Sequence, residues 1–182
     1  MRRAFPRWAP VALVVLAAGC GKPAPGEPAG PRLEARWTGS DTAGFRAPAV
    51  AEWCDSLNLL EIRAVAGDTG LALAIYPRDS LQPGDYPIRS PEVADTRPPS
   101  AAVALRWLAR TAVLGFRGDS GTLTLRRAAG GALSGSFRAG TRAASGTGRL
   151  SVTGSFEELH PRPASRGCTP RDTVPDSSAG VD

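Results

Sequence analysis

From Arg32 to His160 the chain is a series of short alternating segments, each closed by a turn of Gly, Asp or Pro. This pattern constrains the fold more than any other feature. Leu33, Ala35 and Trp37 alternate with Glu34, Arg36 and Thr38, the signature of a strand with one buried face and one wet face. Leu57–Ala66 and Leu71–Tyr76 flank Gly67-Asp68-Thr69-Gly70, where Asp and Gly supply the backbone geometry of a tight hairpin. Tyr86–Arg89 follows the turn Pro83-Gly84-Asp85. Thr111–Phe116, Leu123 with Leu125, Ala132–Ala139 and Arg149–Leu159 continue the series. Ala101–Leu108 suits either a strand or a short helix. A spacing of about ten to fifteen residues predicts an all-β domain, an antiparallel sandwich or flattened barrel. It should have about eight to nine strands and at most one short helix.

Two internal echoes sharpen this. Leu133-Ser134-Gly135-Ser136-Phe137 recurs as Val152-Thr153-Gly154-Ser155-Phe156. A glycine inside a strand marks a bulge, strong curvature or close approach of another group. A phenylalanine across the sheet can cover the backbone so exposed. The two segments are therefore expected as neighbouring antiparallel strands joined by the polar stretch Gly140–Gly148. The second echo, Gly67–Gly70 and Gly118-Asp119-Ser120-Gly121, predicts two hairpin turns of similar build.

The amino terminus is of another kind. Arg2, Arg3 and Arg7 precede an apolar run from Ala9 to Ala18, closed by Gly19-Cys20. Roughly ten apolar residues suit a signal h-region, whereas a membrane-spanning helix needs about twenty. Leu16-Ala17-Ala18-Gly19-Cys20 resembles the lipobox of bacterial lipoprotein precursors, with Leu one place further from the cysteine than in the commonest form. That resemblance implies cleavage before Cys20 and a diacylglycerol on its thiol. Gly21, rather than Asp, after the cysteine implies the outer membrane, facing the periplasm or the surface. Residues 1–19 are then a leader and 20–31 a Pro/Gly-rich tether. Residues 32–160 form the folded domain, and 161–182 a mostly disordered tail pinned near Cys168.

Charge and cysteine content narrow the partners. The chain has 22 Lys and Arg against 17 Asp and Glu, but three of the arginines belong to the leader. The remainder is nearly balanced and scattered, which leaves no footprint for nucleic acid. With Cys20 committed to lipid, Cys54 and Cys168 form an even pair in an oxidising compartment and are expected to be disulfide-bonded.

Catalytic signatures are fragmentary. Gly118–Gly121 resembles the nucleophile segment of chymotrypsin-like serine proteases, but the sole histidine, His160, lies downstream of Ser120. A serine without an adjacent base is a poor nucleophile. Asp68-Thr69-Gly70 and Asp119-Ser120-Gly121 resemble the paired motifs of aspartic proteases, in which two buried carboxylates share a proton. Here each Asp follows Gly instead of an apolar residue. No CxxC, HxH or HExxH occurs, and Gly146-Thr147-Gly148 lacks the lysine of a phosphate loop. No catalytic, cofactor or metal residues are assigned. The expectation is a membrane-anchored envelope protein with a non-enzymatic binding or structural β-domain, its partner an envelope protein or a small apolar ligand. Leu33–Gly39, LEARWTG, resembles the first strand of lipocalins, with Ala35 at their Gly position, and implies a carrier of an apolar ligand as the alternative. A hydrolase is the third reading.

Overall fold

The computed structural model describes residues 30–164; Cys20, Cys168, the leader and most of the tether and tail lie outside the described residues. Strands β1 (Arg32–Gly39), β2 (Ala43–Cys54), β3 (Leu59–Ala66), β4 (Thr69–Tyr76) and β5 (Gly84–Pro87) lead to a short helix, α1 (Pro91–Ala94). Then come β6 (Ser100–Ala109), β7 (Ala112–Arg127), β8 (Leu133–Ala143), β9 (Arg149–Leu159) and β10 (Arg162–Pro163). Each long strand pairs antiparallel with its neighbour in sequence, β5 aside. Finally β1 pairs with both β2 and β9, which closes the sheet. Eight strands thus form an up-and-down barrel. Of the two shapes anticipated from the sequence, the barrel is the one observed.

Alternation decides what faces inward. Leu33, Ala35 and Trp37 of β1 meet Phe45, Ala47, Leu60, Ile62, Leu73, Val103, Leu123, Phe137, Val152 and Phe156 in one buried cluster. Side chains therefore fill the interior, as in other small barrels. At the end bearing the short hairpins, Trp107 is sandwiched in a row of rings. Its centroid lies 5.5 Å from Trp37 and 5.1 Å from Phe116. The Trp37 Nε1–H in this stack has no hydrogen-bond partner among the described residues. At the other end, Tyr86 and Ile88 of the long β4–β6 connection fold inward and are buried.

The reciprocal echo is a packing device. Gly135 stands opposite Phe156 and Phe137 opposite Gly154 on the β8–β9 ladder. A Cβ on Gly135 would lie 2.5 Å from Phe156 Cζ, and one on Gly154 would lie 2.5 Å from Phe137 Cζ. Each ring occupies the space that the other strand's glycine vacates.

Four features depart from the sequence reading or settle what it left open. First, β2 was not anticipated, because Pro48 interrupts its pattern. Pro48 stands where pairing with β1 stops at Arg32 and pairing with β3 starts at Ala49, so its missing N–H falls at a change of partner. Second, Ala101–Leu108 is a strand, since two neighbours, β4 and β7, pair along it. Third, Gly118–Gly121 is not a hairpin turn. It lies within the sixteen-residue β7, with a register shift between Gly118 and Ser120. There β7 exchanges partners: Arg117 pairs with β6, Thr122 pairs with β5, and Ile88 N donates to Gly121 O at 2.9 Å. Gly121 adopts φ +123°, and a Cβ there would lie 2.0 Å from Arg138 O. The same Asp and Gly chemistry that makes a turn at residues 67–70 makes a bulge here. Fourth, the folded unit continues past His160, because β10 runs parallel to β2 and Ala164 N donates to Trp53 O at 2.9 Å.

Tyr86 Oη donates to Gln82 O at 2.7 Å. Burial raises the phenol pKa of both Tyr86 and Tyr76; at Tyr76 the carboxylates of Asp95 and Glu61 raise it further. Both groups keep their proton more tightly folded than unfolded. Their ionisation therefore opposes folding only as pH climbs through the unfolded phenol value of about 10. The barrel should hold its stability below that pH and lose it above, with tyrosinate absorbance appearing at higher pH than in unfolded chain. Coincident, unshifted titration in both states would contradict this.

Candidate functional site

The residues singled out as possible chemistry do not converge. Asp68 is exposed in the β3–β4 turn. Asp119 lies within β7, bonded by the Ser120 hydroxyl at 3.0 Å and 3.5 Å from Arg149 Nη1. A shared-proton dyad needs two carboxylates in contact and shielded from water, and this arrangement provides neither. Ser120 pairs with Gly140, which pairs with Ser151, whereas His160 follows Leu159 at the opposite end of β9. About eight strand residues separate the levels of Ser120 and His160, on the order of 25 Å. No imidazole can take the Ser120 proton across that distance. Among the described residues no three His, Cys, Asp or Glu side chains gather as a metal site.

Cys54 ends β2 and is buried, its Sγ 3.5 Å from Ser56 Oγ. Beside it runs the segment that leads towards Cys168. Glu52, almost wholly buried on the outer face, ties the two together: it accepts from Arg63 of β3 and lies 3.4 Å from Arg162 of β10.

The site that the fold does assemble lies outside the barrel. Residues directly opposite on an antiparallel ladder share a face. One outward row runs Arg63, Ala72, Ala104, Arg117; the next runs Val65, Gly70, Arg106, Gly115. Ala72 and Ala104 hold the middle of the first row, and Gly70 and Gly115 flank Arg106 in the second, so the sheet sinks there into a trough of about 390 Å³. Val65 and Val113 form apolar walls, both more than 60% exposed, and Ala144 closes the β8 side. Gly115 accepts from Ala144 N at 2.7 Å, which fixes that wall. Phe116, the last ring of the aromatic stack, contributes to the floor.

The cations around the trough are not equivalent. Arg63 is bound to Glu52 and lies 3.8 Å from Glu61. Arg117 Nη1 pairs with Glu92 at 2.7 Å. Hydrogen bonds, first from its own backbone and then from the Ser90 side chain, hold the Glu92 carboxyl below its ordinary pKa, and Arg117 adds to this. Arg106 has no carboxylate partner among the described residues. Its stem lies over Gly70, with Cγ 3.7 Å and Nε 3.5 Å from where a Cβ would stand. The trough can therefore accept an apolar body and offers one uncommitted guanidinium beside it.

The linear pattern hid this site. Its one local signal is small residues at outward positions, Gly70, Ala72, Ala104 and Gly115, where half-buried strands ordinarily place polar ones. Only the register of four strands joins them. Comparison with known proteins gives no matching family model, no matching curated protein and no matching solved structure.

Proposed function

We propose that this chain is an exported lipoprotein whose β-barrel is a non-enzymatic binding module, held at a membrane through lipid on Cys20. The observation that carries the binding role is the contrast between a filled interior and an open outer trough whose Arg106 has no carboxylate partner among the described residues. A ligand finds apolar surface on the outer face, while the inner face is already occupied by side chains. Lumenal carriage of the lipocalin kind is correspondingly disfavoured, and the separation of Ser120 from His160 disfavours hydrolysis. Charged residues face outward and apolar residues inward, the reverse of a barrel embedded in lipid. Membrane attachment is therefore assigned to the lipid, and the outer membrane to Gly21.

A Cys54–Cys168 disulfide belongs to this proposal. Ala164 bonds to Trp53, which places the chain beside Cys54 four residues before Cys168. Four extended residues span about 13 Å, ample for the sulfurs to meet.

Cys20→Ser should move the protein from the membrane fraction to the soluble fraction and abolish incorporation of a palmitate label. The intact mass of the unaltered protein should equal a chain beginning at Cys20 plus its acyl groups. An unmodified thiol at Cys20 in membrane-derived protein would refute the anchor.

A further inference from the structure

We infer that the outer trough binds a long-chain carboxylate, its acyl chain lying across the strands and its head paired with Arg106; this rests on the binding role proposed above. The argument begins with the direction of the Arg106 side chain. Its stem crosses Gly70, so the guanidinium sits towards the β3–β4 side of the trough. The apolar remainder extends the other way, over Ala104 and Gly115 to Ala144, with Val113 as its wall. From β4 to β8 is three strand spacings, about 14 Å. At roughly 1.2 Å of advance per bond of an extended chain, that length suits about twelve carbons.

Charge selects the head group. Arg63 and Arg117 are already neutralised by glutamates, whereas Arg106 is not, and a carboxylate meets a guanidinium through two parallel hydrogen bonds. Two other occupants fit less well. A second copy docked face to face would bring like guanidiniums together. A peptide added as a strand needs a free sheet edge, and the eight-stranded ring has none here because β3, β4, β6 and β7 are paired on both sides.

The test uses residues 20–182 with Cys20→Ser, which retains every strand of the barrel and needs no detergent. Dodecanoate and its neutral glycerol monoester are titrated below their micellar concentrations. Binding is followed by calorimetry and by the fluorescence of Trp107, which stacks on Phe116 in the trough floor. One dodecanoate should bind per chain. Arg106→Ala should weaken it by roughly tenfold or more, and Arg106→Lys, which keeps the charge but loses the paired hydrogen bonds, should weaken it by about threefold to tenfold. Gly115→Val, whose Cβ finds only ordinary contact with Ala144 at 3.6 Å, should fold normally and block the trough. Equal affinity for the neutral ester, with Arg106→Ala silent, would overturn the carboxylate assignment and leave the trough as a binding site. Absence of binding by both amphiphiles would overturn the carboxylate assignment and the binding role together. Self-association that Val113→Arg abolishes would show the trough to be an interface between copies and overturn the inference.

Discussion

Gly154→Val is expected to cost the barrel roughly 3 kcal/mol or more, the upper range for overpacking a well-filled core. For a domain of this size that corresponds to a fall in Tm of about 10 °C or more. A Cβ at residue 154 would lie 2.4 Å from Glu34 O and 2.5 Å from Phe137 Cζ. The phenylalanine could rotate away, but the carbonyl belongs to β1, on the other side of β9. Pairing Gly154→Val with Phe137→Ala should therefore restore little, and should add the loss of a buried ring. Gly135→Val should behave alike, because its Cβ would meet Thr124 O of β7 at 2.5 Å as well as Phe156. Thermal unfolding of the three variants decides the matter. A valine at 154 that unfolds within a degree or two of the unaltered protein would show that β1 and β9 are not this close.

Loss of the proposed Cys54–Cys168 disulfide is the second large effect expected. The bond would close a loop of over a hundred residues, and the chain-entropy account places such a constraint near 4.7 kcal/mol before strain is subtracted. Cys168→Ser should lower the denaturant midpoint markedly, and reduction of the unaltered protein should lower it by a similar amount. The reduced barrel should still fold, because β1 to β9 close without the tail, while β10 should detach from β2. Glu52 makes that detachment visible: freed from Arg162, it keeps its bond to Arg63, so hydrogen exchange should quicken at Ala164 before it does along β3. Two alkylatable thiols in the native, unreduced protein would end this account.

Strand content was readable residue by residue. Leu33, Ala35 and Trp37 announce β1, and Gly67-Asp68 announces the β3–β4 hairpin, because alternation and turn chemistry act over a few neighbours. The Gly135/Phe156 and Gly154/Phe137 pairs were readable as well, since a repeated pentapeptide implies a shared environment. Pro48 concealed β2, because a proline is harmless only at a change of partner, and partners are not written in the linear order. Gly118–Gly121 carried the same message as Gly67–Gly70 and meant something else. Its neighbours β5 and β6 competed for β7, and the strand bulged to serve both.

The amino-acid order alone determined the β class and the first strand beginning near Arg32, both of which depend on local composition and period. Closure of β1 onto β9 and the assembly of Gly70, Ala72, Ala104 and Gly115 into a trough around Arg106 were decided only in three dimensions. The physical reason is register: a one-residue slip between strands turns every side chain to the other face, and register follows from packing the whole ring at once.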